Sequence, residues 1–189
     1  MPDAYRMIGW AWAVMLVIWI GASLASKKTV RRESLRSQFR YVSLGLVAGL
    51  LISGKGPLGT LTGRQIIART PLSANVGLVL TVAGIAIACW ARFVLGRNWS
   101  GWVTVKQDHE LVRSGPYRIV RHPIYSGVLL ALLGTATAVG TVGAFLGVIL
   151  AALALRMKSL QEETFMQQQF QAQYTTYKQN VKALIPFVW

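Results

Sequence analysis

The chain has 189 residues, 53% hydrophobic and 14% charged, with a net charge of +14 and a mean hydropathy of +0.45. A soluble domain carries about 25% charged residues, so the composition argues against an ordinary soluble enzyme. The lone cysteine, Cys89, rules out an intramolecular disulfide and a cysteine-cluster metal site.

The first apolar block, Met7 to Ala25, runs nineteen residues without a charge, long enough to cross a bilayer. Its charges follow it, at Lys27, Lys28, Arg31 and Arg32, which does not suit a cleaved signal peptide. The second block, Tyr41 to Gly54, is short and needs Phe39, Leu58 or a tilt to reach across. Two glycine patterns at its end do not hold. "GLLISGK" (Gly49 to Lys55) places Gly56 where a phosphate loop needs Ser or Thr. "GKGPLG" (Gly54 to Gly59) follows a membrane block where a dinucleotide site needs a strand. Both read as turns on the outer side. Gly45/Gly49 and Gly143/Gly147 have the spacing that lets helices approach closely.

The third block is Pro71 to Ala91, and the last, Ile124 to Leu155, has no charge for 32 residues. One span needs about 20 residues, so the last block reads as two helices turning around Val139 to Thr141. The expected architecture is all-α and membrane-integral, with five spans. With the N-terminus outside, segments 26–40, 92–122 and 156–189 fall in the cytosol and hold sixteen of the twenty Lys and Arg residues. Only Arg6, Lys55, Arg64 and Arg69 stay outside, as the positive-inside rule predicts. The positive charge is therefore a matter of topology and of contact with membrane lipids, and nucleic acid is not expected as a partner. Nothing marks an obligate protein partner.

Polar chemistry gathers between Asn98 and Glu163. The segment "GRNWSGWVTVKQDHELVRSGPYRIVRHPIYSG" is aromatic and glycine-punctuated, too long for a plain connection. Pro123 suits the first turn of the next span, which puts His122 at a helix start whose free N–H groups favour anions. After the last span, apolar residues from Leu155 to Tyr177 recur mostly at helical spacing, so a cytosolic helix extends it. Lys158 and Glu162 share one face of that helix, and Glu163 points about 100° away. Two histidines with no third nitrogen or sulfur ligand nearby make a weak zinc site, and no metal is expected.

"GRNWS", "HELVRSGPY", "RHPIYSG", a pair of apolar spans, then "EE" and "FQAQYTTY" resemble the isoprenylcysteine carboxyl methyltransferase family, over residues 72–189. The resemblance implies a membrane enzyme, related to the phospholipid methyltransferases, that uses S-adenosylmethionine. The family's cofactor pocket then falls on His109, Glu110, Leu111, Val112, Tyr117, His122, Pro123, Ile124, Tyr125 and Glu162. The family's substrate-facing arginine is Lys158 here, and Arg121 stands with it as a candidate catalytic cation. The family's F-G-x-E-Y is altered to Phe170-Gln171-Ala172-Gln173-Tyr174.

On this reading residues 1–70 form two N-terminal transmembrane helices. Residues 71–189 form the methyltransferase core, with a cofactor loop at 96–123. The acceptor is a lipophilic small molecule or a lipid-modified substrate, O-, N- or S-methylated. The small size suits a prokaryotic cell membrane with the active site on its cytosolic side. An NADPH-dependent membrane reductase and a non-catalytic membrane binding protein remain as alternatives. A reductase requires clustered Arg or Lys for the 2′-phosphate.

Overall fold

The computed structural model describes residues 2–23, 29–54, 61–99, 104–106 and 110–185. His109 and residues 55–59 of the glycine patterns lie outside them. Five long helices carry the described fold: α1 Pro2–Ser23, α2 Leu35–Ser53, α3 Pro71–Leu95, α4 Pro123–Val139 and α5 Val142–Asn180. The all-α expectation holds with one addition. A two-stranded antiparallel ribbon pairs β1 Thr29–Arg32 with β2 Thr104–Lys106. Each strand begins Thr-Val and ends on basic residues, Arg31 and Arg32 in β1 and Lys106 in β2, and the β-branched pairs favour extended backbone.

Three helical segments, Asp3–Ser23, Pro71–Asn98 and Val142–Asn180, are long and apolar enough to cross a membrane, and α4 is a shorter apolar helix. Trp10, Val17, Leu46, Val79 and Ile149 are exposed on the outside of the bundle, where lipid would cover them. The 32-residue block divides as the sequence predicts. Gly140, at φ 73°, caps α4, and the Thr141 side chain accepts from the Ala144 N–H to start α5. α2 starts earlier than its apolar run, because Ser34 caps it by accepting from the Ser37 N–H. Its other end is Gly54, a left-handed helix cap at φ 64°, which accounts for one glycine of the false phosphate loop.

Small residues bring α3 and α4 into backbone contact. A Cβ added to Gly127 would lie 2.6 Å from the Gly84 carbonyl, and one on Gly134 2.5 Å from the Thr81 nitrogen. Of the two glycine pairs read from sequence, Gly147 packs on α2, where a Cβ would meet Ile52 at 2.6 Å, and Gly143 packs on Thr62. A Cβ added to Gly45 or Gly49 would meet nothing within 4 Å among the described residues. That half of the expectation is corrected: α2 packs through Tyr41, Ala48, Leu51 and Ile52, a different face.

α5 leaves the apolar layer and runs on to Asn180, broken at Gln171 (φ 43°, ψ −115°). The chain then turns back. Residues 181–185 lie along the start of α4, with Arg121 N–H donating to Lys182 O at 2.8 Å and His122 N–H to Ala183 O at 3.0 Å. Ser126 Oγ donates to Leu184 O at 2.5 Å, and Tyr177 OH to Tyr117 O at 2.6 Å. This return fixes the turn that presents Tyr117, Arg121 and His122.

Candidate active site

A cavity of about 430 Å³ opens where the helices meet this turn. α1 lines it with Met15 and Trp19, and the segment after α3 with Asn98 and Trp99. Trp19 meets Trp99 edge-on, with ring centroids 6.2 Å apart. Buried Arg92 sets that contact. Its guanidinium sits 4.4 Å from the Trp99 centroid and donates to Gly96 O at 2.8 Å and Ala22 O at 2.6 Å. Val128 and Leu155 complete the apolar wall.

The ionic part is built around His122. Nδ1 lies 3.4 Å from Glu162 Oε2 and Nε2 lies 3.3 Å from Glu163 Oε1. The Tyr125 ring stacks on the imidazole at 5.5 Å and 6°, and the Tyr125 hydroxyl donates to Glu162 Oε1. Glu163 is almost fully buried and receives Arg121 Nε at 3.0 Å, Arg121 Nη2 at 2.7 Å and Lys178 Nζ at 2.9 Å. Arg121 Nη1 donates to the carbonyls of Lys178 and Val181.

These contacts set the charges, in a part of the molecule beyond the uncharged stretch that ends at Leu155. Burial lowers the His122 pKa, but hydrogen bonds and charge from Glu162 and Glu163 outweigh it and hold it above its ordinary value. Burial would raise Glu163, yet His122, Lys178 and Arg121 hold it well below the usual carboxylate range. Glu162 is lowered against burial too, first by its hydrogen bond to His122 and then by the charge of Lys158.

Of the residues proposed for the site, Glu110, Leu111, Val112, Tyr117, Arg121, His122, Ile124, Tyr125, Lys158 and Glu162 all line this cavity. Pro123 does not. It is fully buried at the first position of α4, so its part is to start the helix. Two of these residues are more engaged than the sequence suggests. Arg121 lines the cavity while donating to Glu163 and to the carbonyls of Lys178 and Val181. His122 donates its amide proton to Ala183 O, and two carboxylates face its ring.

Sequence reasoning missed Glu163 as a structural centre, and it missed Met15, Trp19 and Trp99 as cavity walls. Glu163 stood in the glutamate pair, but nothing in the sequence showed that residues 178–183 return to it. Trp19 lay inside an apolar block and Trp99 in the aromatic loop segment, and nothing local marked either as facing the cavity.

Residues 72–173 match the family model for phospholipid methyltransferase. The chain belongs to that family. It is 32% identical over 120 residues to protein-S-isoprenylcysteine O-methyltransferase B of Arabidopsis thaliana, covering 61% of this chain and 60% of that protein. It is 30% identical over 124 residues to protein-S-isoprenylcysteine O-methyltransferase of Saccharomyces cerevisiae, covering 63% and 51%. A solved structure of a eukaryotic intramembrane Ras methyltransferase, isoprenylcysteine carboxyl methyltransferase, superposes with a TM-score of 0.52 at 24% identity, over 84% of this chain and 55% of that one. The chain thus spans about 60% of the length of the Arabidopsis relative. The resemblance to the isoprenylcysteine carboxyl methyltransferases is borne out, and with the apolar helices it makes this chain an integral membrane protein.

Proposed function

We propose that the chain transfers a methyl group from S-adenosylmethionine to the carboxylate of a lipophilic, isoprenylcysteine-type acceptor, at the cytosolic face of a membrane. One observation carries this reading. Along α5 the cavity-lining face reads Leu155, Lys158, Glu162, Met166, so the wall passes from apolar to cationic to anionic within about two turns. A water-soluble donor and a lipid-dissolved acceptor need such a wall if they are to meet.

The residues present fit the donor. The cavity falls in the range of about 300–1,000 Å³ usual for small-molecule sites. Glu162 would accept from the ribose or the ammonium group, and Leu111, Val112 and Tyr117 would flank the adenine. When bound, S-adenosylmethionine supplies a methyl group already activated on a sulfonium. The chain's task is then to align the acceptor and exclude water, with Lys158 holding the carboxylate. An amine acceptor would also need a base. Tyr125 and Glu163, the available candidates, are both engaged, Tyr125 as a donor to Glu162 and Glu163 in its three-cation cluster. That favours O-methylation over N-methylation.

Among the described residues, the cavity does not offer the reductase reading the cationic cluster that a 2′-phosphate needs. Of the Lys and Arg residues lining the cavity among those described, Arg121 is bonded to Glu163 and only Lys158 accompanies it. The division at residue 70 stays a proposal, with 71–189 as the core, although Met15 and Trp19 cross it. The relatives named are plant and yeast proteins, so a prokaryotic membrane draws no support from them. Thermal unfolding tests the donor: S-adenosylhomocysteine should raise the melting temperature and NADPH should not. Base-labile methyl ester formed on a farnesylcysteine carboxylate tests the acceptor. Stabilisation by NADPH alone, or a base-stable methylated product, would overturn the reading.

A further inference from the structure

The first two helices carry no sequence motif, yet α2 touches the cavity wall from behind, where Tyr41 meets Lys158. Tyr41 on α2 is buried, and the Lys158 ammonium lies over its ring at 5.6 Å from the centroid. A second ring, Tyr125 on α4, presents its face to the same nitrogen at 5.5 Å. Each hydroxyl is anchored on a carboxylate: Tyr125 donates to Glu162, and Tyr41 donates to Glu33, itself buried just before α2. Three elements that are distant in sequence therefore meet at one lysine.

An ammonium within about 6 Å of an aromatic face is attracted by the ring's negative quadrupole. A phenol whose proton leans toward a carboxylate has a more electron-rich ring, so Glu33 and Glu162 strengthen the two faces. Ring faces also carry no net charge. They aim the ammonium without cancelling the charge an incoming anion would seek.

We propose that Tyr41, anchored by Glu33, is a positioning residue that aims Lys158 at the anionic head of the acceptor, so that α2 sets the preference for a carboxylate. This rests on the methyltransferase reading above. The chemistry says where the effect must appear. As the carboxylate oxygen bonds to the methyl carbon, the methyl–sulfur bond breaks. The carboxylate's negative and the sulfonium's positive charge vanish together, leaving a neutral ester and a thioether with no proton to move. A cation that grips the acceptor therefore favours the bound ground state over the transition state. Its loss shows in KM more than in kcat.

The 189-residue chain in lipid nanodiscs, assayed with S-adenosylmethionine and a farnesylcysteine carboxylate, provides the test. Tyr41→Leu should raise KM about fivefold, the effect of losing one ring of a desolvated cation–π pair. The kcat should change less than KM, and S-adenosylhomocysteine affinity should stay within about twofold, since Lys158 lies off the donor end. Tyr41→Phe keeps the face and should restore most of the affinity. Tyr41→Met serves if the leucine variant does not fold, because an unbranched side chain fills the same space. In a Lys158→Ala background the Tyr41 substitution should add nothing, because it acts through Lys158. An unchanged KM, or effects that add in the double variant, would overturn this proposal alone. A wild-type chain that binds no S-adenosylhomocysteine would overturn both readings together.

Discussion

Glu163→Gln keeps the side chain's shape and removes its charge. In the folded protein that carboxylate is 4% exposed and faces Arg121, whose side chain is 8% exposed. Breaking a buried pair by neutralising one partner costs about 3–5 kcal/mol, because the other charge is left uncompensated. Two features place the loss near the lower end. Arg121 keeps the carbonyls of Lys178 and Val181, and His122 keeps Glu162. Lys178 is half exposed and returns to water, so its share is small. The expected loss is about 3 kcal/mol, read from chemical unfolding of the detergent-solubilised protein. Glu162→Gln should cost less than half of that, since Glu162 is more exposed and holds no guanidinium among the described contacts. In Arg121→Gln/Glu163→Gln both charges go, so the double variant should be milder than the sum by about 1 kcal/mol or more. A loss below about 1 kcal/mol for Glu163→Gln, or strict additivity in the double variant, would refute the buried cluster as the anchor of this turn.

Titration calorimetry should show the opposite order for the cofactor. Glu162→Gln is expected to weaken S-adenosylhomocysteine by about tenfold or more, or about 1.4 kcal/mol, and Glu163→Gln by less. Stability should also depend on pH in two opposed ways. The depressed Glu163 pKa contributes stability above its unfolded value near about 4.3, which is lost as pH falls through the folded pKa. The raised His122 pKa contributes stability complete below about 6.5, which is lost as pH rises through the folded pKa. The cluster therefore stabilises most between about pH 4.5 and 6.5, and His122→Gln should flatten the decline on the alkaline side in melting curves. Finally, Gln171 holds φ 43°, a conformation that costs a residue with a side chain about 1–2 kcal/mol. Gln171→Gly should thus stabilise by about 1 kcal/mol, whereas glycine at Ala172, inside regular helix, should destabilise by about 0.5–1 kcal/mol.

Elements whose signal is local were readable from sequence. The turn at Gly140 showed because it interrupts a charge-free run of 32 residues, well beyond the about 20 that one span needs. Lys158 and Glu162 showed because helical spacing alone puts them on one face. The α2 start was hidden by Arg36 and Arg40, whose charges lie in its first turns while Ser34 does the capping. Gly45 and Gly49 had the right spacing, but spacing does not say which face of α2 meets its neighbour. Tyr41 gave no sign because its partner, Lys158, is over a hundred residues away, and Glu33 gave none because it reaches the site only through Tyr41. The ion pair of Arg121 was hidden for the same reason: its partner, Glu163, belongs to a distant helix.

The return of residues 181–185 has a consequence for how the protein is made. Arg121 and Val181 are 60 residues apart in sequence. At about 5–20 residues per second, translation supplies the second roughly 3–12 s after the first. During that interval α3 and α4 can close on their glycine faces, since that seam uses no later residue. The turn at Arg121 and His122 must wait for its amide acceptors, Lys182 and Ala183, which reach it only after α5 is complete. Membrane insertion and site assembly are thus separate events in the life of one chain: the bundle forms first, and the chemistry arrives with the final few residues of the return.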